Sequence, residues 1–402
     1  MAFIVQKFGG SSVANAERIW RVAGIIADTY SENNDIVVVL SAQGDTTDDL
    51  IDKAKEINPR PSKREMDVLM STGEQMSIAL MAMALEKMGL PVISLTGWQI
   101  GMQTNSVYGN ARIKKVSCDR IRNELDKRRI VIVAGFQGVN KYDDITTLGR
   151  GGSDTTAVAI AAAMNANLCQ IYTDVEGVYT CDPRKVPGAR KLEEITYDEM
   201  LELASLGSQV LHNRSVEMAK RYNVNLEVLS SFVRKPGTKV KEVTKMEQTK
   251  ISGIAKDTNV ARIALIGVKD EPGVAFKVFR VLAKQKINVD IILQSIGHDE
   301  TQDISFTVAK NDMEEATAAL REQQDIIGFR DLSVTDKIAK VSMVGAGMVN
   351  SSGVAVQMFE ALYAAKINIH MISTSEIKVS VLVNESEADR AIQAIHAKFF
   401  ET

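Results

Sequence analysis

A chain of 402 residues has room for two to three domains, and its 45% hydrophobic content is ample for buried cores. The 48 basic and 51 acidic residues nearly cancel, leaving a net charge of −3, so no excess positive field exists to hold a polyanion and no nucleic-acid partner is expected. The longest uninterrupted apolar run, Ile78 to Leu85, is far below the roughly 20 residues of a membrane span, and the N-terminus lacks a charged-then-apolar leader, so no membrane association is expected and the protein should stay in the cytoplasm. Cys118, Cys169 and Cys181 are odd in number and lack metal-site spacing, which fits reduced thiols. His212, His298, His370 and His396 are too scattered for a metal cluster and read as structural or surface residues.

From the start to about Leu229, short β-branched runs alternate with longer amphipathic stretches. The runs are Phe3 to Phe8, Ile36 to Leu40, Pro91 to Leu95, Ile130 to Ala134, Leu168 to Tyr172 and Asn225 to Leu229. They read as strands buried on both faces, and segments such as Glu65 to Met88 and Asp154 to Ala166 read as the helices between them. The pattern predicts a three-layer αβα sandwich around a mainly parallel sheet. In such sheets ligands gather at the carboxyl ends of the strands, and each motif below falls at such an end.

The first strand runs into Lys7-Phe8-Gly9-Gly10-Ser11-Ser12 and then a helix with Ile19, Val22, Ala23 and Ile26 on one face. Two glycines allow close backbone approach, a helix start offers N–H groups to an anion, and the lysine adds a full positive charge. That outlines a phosphate site, although strand, glycines and helix also describe a plain tight turn. After the second strand, Ser41 to Thr47 is a small polar loop whose bland reading is helix capping. In the next helix Ser71-Thr72-Gly73-Glu74 puts a glycine and a carboxylate into an apolar, Met-rich stretch. Glycine costs about 1 kcal/mol there relative to alanine, which points to a need for close approach.

Further on, Gly149-Arg150-Gly151-Gly152-Ser153-Asp154 precedes a helix of alanine and small apolar residues. Arginine's planar fork suits a carboxylate or phosphate, and the helix start again supplies donors. Tyr172-Thr173-Asp174 closes a strand, and Gly177-Val178-Tyr179 leads to Asp182-Pro183-Arg184, which reads either as a loop over a flat or charged ligand, with Tyr179 able to pack on a ring, or as a turn-rich surface loop. Ser230 to Gln248 turns charged and polar with a Pro-Gly pair and reads as a linker. Beyond it, Gly273-Val274-Ala275 recurs as Gly353-Val354-Ala355, and Lys286-Ile287-Asn288 as Lys366-Ile367-Asn368. A repeat of about 80 residues, each copy opening on a strand at Ile263 to Val268 or Val341 to Gly345, implies two copies of one small α+β module.

The loops occur in the order found in aspartokinases, and the chain resembles a monofunctional bacterial aspartokinase over nearly its full length. The resemblance implies an amino-acid-kinase catalytic domain at 1–230, a linker at 231–260, and two ferredoxin-like ACT modules at 261–337 and 338–402. It implies transfer of the γ-phosphoryl group of ATP to L-aspartate, giving 4-phospho-L-aspartate, a step toward lysine, threonine and methionine. In that reading Lys7 bridges the transferring group and Asp154 orients Lys7; Phe8, Gly9, Gly10 and Ser11 face the phosphates. Arg150 grips the substrate carboxylate, with Ser41, Thr47, Glu74, Gly151, Gly152 and Ser153 completing the substrate pocket, and Thr173, Asp174, Tyr179 and Arg184 match the nucleotide loop. Mg2+ is expected on the ATP phosphates, with no dedicated protein metal site.

Many members carry Gly-Ala-Lys-Val-Leu-His-Pro where this chain reads Gly207 to Asn213, so Gln209 stands in place of a lysine and a second basic contact to ATP is not supplied there. The tail resembles effector-binding ACT pairs that hold lysine and/or threonine at a subunit interface, the matching positions being Asp270, Gly273, Ala275, Gln294, Asn368, Ile369, Ser375 and Glu376. The expected assembly is a homodimer, or a heterotetramer with a tail-only subunit started at Met246. The alternatives are another amino-acid or carbamate kinase of the same fold, and a non-catalytic amino-acid sensor.

Overall fold

The structure, a computed structural model, describes residues 2–206, 210–242, 251–296, 301–348 and 353–401. Gln209, Met246 and His298 lie outside the described residues. The chain divides into two units, Met1–Tyr179 with Arg190–Gln248, and Thr180–Ala189 with Thr249–Thr402.

The first unit contains strands β1 (Phe3–Phe8), β2 (Asp35–Leu40), β3 (Val92–Leu95), β4 (Met102–Thr104), β5 (Ile113–Val116), β6 (Ile130–Ala134), β7 (Gln137–Val139), β8 (Ile145–Thr147), β9 (Leu168–Thr173), β10 (Glu194–Thr196), β11 (Leu226–Ser230) and β12 (Thr238–Lys241). Its helices are α1 (Ala16–Ser31), α2 (Thr46–Ile57), α3 (Lys63–Lys87), α4 (Asp119–Leu125), α5 (Gly152–Met164), α6 (Tyr197–Ser205) and α7 (Asn213–Tyr222). Among the described residues the main sheet runs β10-β12-β11-β9-β1-β2-β6-β3, parallel at each pairing except β11 with β12, and a smaller sheet runs β5-β4-β7-β8. The six strands expected from β-branched runs all lie in the main sheet, within a residue of the expected limits.

Strand alternation sorts the core. Phe8, Val38, Leu40 and Ile132 face α1 and α3, where Val22, Ile26, Met81 and Leu85 are fully buried against them. Each such side chain contributes about 1.5 to 3 kcal/mol by leaving water. Val5, Val37 and Val39 face the other way, and on that side α5 packs on β1, β2 and β9. Every residue of α5 from Gly152 to Ala161 is buried, which is why its sequence carries so little polarity. By length and composition α3 could cross a membrane, yet here it is a core helix that buries Asp67, Ser71, Glu74 and Ser77.

The second unit contains β13 (Gly253–Asp257), β14 (Ala261–Lys269), β15 (Val289–Ile296), β16 (Thr301–Val308), β17 (Asp331–Thr335), β18 (Ile338–Val344), β19 (Met371–Thr374) and β20 (Lys378–Asn384), with helices α8 (Val274–Lys284), α9 (Met313–Glu322), α10 (Gln324–Ile327), α11 (Val354–Ala364) and α12 (Ala388–Phe400). Two antiparallel sheets form, β15-β16-β14-β17 and β13-β18-β20-β19. The repeat seen in the sequence recurs in the backbone: Gly273 and Gly353 open α8 and α11 at φ +95° and +91°, and Lys286 and Lys366 turn at φ +61° and +55°. Two strands fall in the stretch read as linker. β12 joins the main sheet of the first unit, and β13 pairs with β18, so the second module begins before the first and closes after it.

A short excursion completes the second unit. Cys181 and Val186 join the core that holds Val379, Val381, Ile392 and Ile395, and the Thr180 hydroxyl lies 3.0 Å from Nε2 of fully buried His396. The Ile254 N–H donates to the Thr180 carbonyl at 2.7 Å, fixing the segment to β13.

Candidate active site

Lys7 shares a strand face with Val5, the face that α5 covers, so its ammonium meets the first turn of that helix. Nζ lies 2.6 Å from Oδ1 of Asp154, with each side chain about nine-tenths buried. Asp154 sits where the helix N-terminus favours a negative charge, and no side chain among the described residues caps that end. Two parallel neighbours complete the floor: Lys7 registers with Val39 on β2 and Ile171 on β9.

The glycine loop after β1 is set by close approach. A Cβ on Gly10 would stand 2.6 Å from the Ala42 carbonyl oxygen, and Gly44 N–H donates to the Gly10 carbonyl. The loop is also tied sideways, for Phe8 stacks on Tyr172 at 4.5 Å and Ser12 shares a 2.8 Å hydrogen bond with Ser231. Ser231, whose N–H donates to the Thr173 carbonyl, carried no signal in the sequence beyond its place at the end of the β11 run. Gly9 to Ser12 and Thr173-Asp174 are thus held side by side at the carboxyl ends of β1 and β9.

Gly73 answers the close approach its sequence position predicted: a Cβ there would lie 2.9 Å from the Ala42 methyl, where the Ser41 to Thr47 loop crosses α3. The next residue, Glu74, lies beneath that loop, only 4% exposed, its Oε1 accepting the Ala42 N–H at 3.2 Å while Oε2 has no partner among the described residues. Burial pushes its carboxyl up to about 7. An unsatisfied buried carboxylate oxygen is costly in isolation and suits a cationic ligand. Ser41 follows β2, its N–H bonded to the Phe8 carbonyl, and Thr47 is half-buried in the first turn of α2.

Arg150 stands on an exposed turn between β8 and α5, beside a cavity of about 670 Å³ that Asn110, Arg112, His212, Arg214 and Glu217 also line. The buried Gly152, Ser153 and Asp154 follow it into α5. At Gly151, φ is +67° and a Cβ would collide with the His212 ring, so only glycine fits. His212 also accepts the Arg214 N–H as cap of α7, and burial holds its imidazole below the usual range. Arg112, His212 and Arg214 were not singled out by sequence reasoning as site residues.

Thr173 donates its hydroxyl to Asp174 at 3.0 Å, and Tyr179 bridges to Lys191, both within the first unit. Arg184 belongs to the second unit, where it is exposed and its guanidinium donates to both oxygens of Asp182 at 3.0 Å. The tail positions fall in two groups. Asp270, Gly273 and Ala275 are exposed around the start of α8, with Gln294 on β15, while Asn368, Ile369, Ser375 and Glu376 flank β19 on the other sheet. Among the described residues β15 and β19 are both sheet edges.

A lysine held by a carboxylate, a glycine loop and an uncapped helix start converge at the carboxyl ends of β1 and β9, the equipment for binding phosphates and neutralising charge as one moves. No group of three or more His, Cys, Asp or Glu gathers as a metal site among the described residues.

The amino acid kinase family matches residues 2–230, and the ACT domain matches residues 263–324 and 341–399. An aspartate kinase of Pseudomonas putida is 53% identical over 401 residues, covering 99% of this chain and 98% of its own. Escherichia coli aspartokinase III in complex with aspartate and ADP, described as its R-state, superposes with a TM-score of 0.84 at 27% identity over 99% of this chain and 100% of that one. The same enzyme in complex with lysine and aspartate, described as its T-state, superposes at 0.77 with 27% identity over 99% of each chain.

Proposed function

Because this chain belongs to the aspartokinase family of ATP-dependent kinases, we propose that it transfers the γ-phosphoryl group of ATP to the β-carboxylate of L-aspartate, giving 4-phospho-L-aspartate. The observation that carries the reading is the Lys7–Asp154 ion pair at the mouth of β1 and α5. Phosphoryl transfer asks little covalent chemistry of a protein and depends on positioning and charge. Lys7 bridges the moving group, and Asp154 keeps its ammonium in place. Gly9, Gly10 and Ser11 receive the phosphates with backbone and hydroxyl donors, and Thr173, Asp174 and Tyr179 hold the nucleoside end. Arg184 is assigned there on the family pattern alone.

Arg150 takes the α-carboxylate of aspartate and Glu74 its ammonium, with Ser41, Thr47 and Ser153 fixing the side chain. The unpartnered Oε2 of Glu74 supports the second assignment. Mg2+ would ride on the ATP phosphates, where it would neutralise charge; it commonly binds proteins through one or two carboxylates, and Asp154 in the first turn of α5 or Asp174 just after β9 would supply them.

The paired modules bind an end-product amino acid, lysine and/or threonine, across a subunit interface, and so regulate flux toward lysine, threonine and methionine. Exposed Ile292, Leu293 and Ile372 on the edge strands β15 and β19 support association there. The buried, unpaired Cys118, Cys169 and Cys181 accord with a reducing cytoplasm. Trapping the acyl phosphate with hydroxylamine tests the reaction: product should require both ATP and aspartate. No trapped product with aspartate, or equal product with another amino acid, would overturn it.

A further inference from the structure

Arg150 is flanked by Gly149 at φ +78° and Gly151 at φ +67°, residues that leave a loop free to turn unless something outside it fixes its course. Two charged side chains do so, one fully buried and one half-buried. Asp67 on α3 is fully buried, and its carboxylate accepts the Gly109 N–H at 2.9 Å, the Thr147 N–H at 2.9 Å and the Thr147 hydroxyl at 2.7 Å. Arg214 on α7 donates to the Leu148 carbonyl at 2.9 Å and the Ala111 carbonyl at 2.7 Å. The anion therefore collects N–H and O–H donors, and the cation collects carbonyls, from the same two segments, 109–111 and 147–148. A direct bond from the Ala111 N–H to the Thr147 carbonyl, 2.8 Å, closes the frame. Half-burial strips part of the water from the Arg214 guanidinium, which leaves it dependent on those carbonyls, and with the nearby Arg112 charge pushes it down to about 10.

We propose that Asp67 and Arg214 are positioning residues for substrate binding: they clamp the 147–148 backbone so that Arg150, two residues on, faces the substrate carboxylate. This rests on the assignment of Arg150 to that carboxylate. In this role each acts through the peptide groups it holds. Because Arg150 binds a carboxylate that persists through the reaction, loosening its loop weakens ground-state and transition-state binding alike and appears in KM.

The test is steady-state kinetics on Asp67→Asn, Thr147→Val and Arg214→Lys, each checked for folding by thermal melting and crossed with Arg150→Ala. A charged hydrogen bond is worth enough that each single variant should raise the aspartate KM about tenfold, with the ATP KM unchanged within about twofold. In the Arg150→Ala background the same changes should add less than about twofold, because the group they aim is gone. Thr147→Val keeps the Asp67 charge and removes only the 2.7 Å bond, so it decides the matter if Asp67→Asn does not fold. Full additivity with Arg150→Ala, or loss of kcat at unchanged KM, would overturn the proposal. If Arg150→Ala raises KM while the clamp variants do not, the clamp alone fails. If Arg150→Ala itself leaves KM unchanged, the carboxylate assignment fails and the clamp falls with it.

Discussion

Lys7 Nζ lies 2.6 Å from Asp154 Oδ1, a pair drawn from residues far apart in the chain and brought together because β1 turns one face to α5. The side chains are mostly buried, so neither charge is well hydrated except by the other. Lys7→Met should therefore remove turnover more than nucleotide binding. We expect kcat to fall by about a hundredfold to a thousandfold, the usual loss for one charge-stabilising contact in a transition state, with the ATP dissociation constant changing far less. Near-normal kcat in single-turnover assays would contradict the role given to Lys7.

Arg150→Ala should raise the aspartate KM by about ten- to a hundredfold, as expected for a charged hydrogen-bonded pair. Glutamate, one methylene longer, should be the poorer substrate by about 1 to 3 kcal/mol in kcat/KM. Comparable turnover of glutamate and aspartate would mean that the pocket does not measure side-chain length.

Glu74 gives a pH signature whose sign is fixed by its burial. Its carboxyl, raised to about 7 in the folded protein from an ordinary value of 4.5, binds an ammonium only when ionised, so kcat/KM for aspartate should climb with pH up to about 7 and then level. Stability should run the other way. Between about pH 4.5 and 7 the unfolded chain has lost this proton and the folded chain keeps it, so this group lowers stability as pH rises through that window. Glu74→Gln should abolish the kinetic limb and raise the melting temperature at pH 8. A profile unchanged by the substitution would exclude Glu74 as its source.

Titrating lysine and threonine separately against activity should identify the effector. Coupling between sites commonly amounts to about 1 to 3 kcal/mol, so Asn368→Ala should shift the half-inhibiting concentration by about five- to a hundredfold. Inhibition unaltered in that variant would move the effector away from the β19 sheet.

The main sheet was legible because its strands are buried on both faces and read as continuous apolar runs, as at Ile36 to Leu40 and Ile130 to Ala134. The small sheet was not. β4, β7 and β8 are three residues long and contain Gln103, Gln137 and Thr146, too short for any period to show. The glycine loop and the Arg150 turn announced themselves by composition, whereas Asp67 and Arg214 did not. A carboxylate satisfied by backbone N–H groups 42 and 80 residues away looks, in one dimension, like any charged residue of an amphipathic helix. The interleaving of β13 with the second module was hidden for a similar reason, since strand pairing across the intervening module leaves no local mark.

The passage of Thr180–Ala189 into the second unit bears on how such a chain can be inherited or rebuilt. A gene fragment beginning after Gln248 encodes both modules but omits Cys181 and Val186, which lie in the core beside Ile392 and Ile395. Recombination at one breakpoint would graft a new tail onto an old splint. Swapping regulation between relatives therefore calls for two exchanges, one of them ten residues long and embedded within the coding region of the kinase.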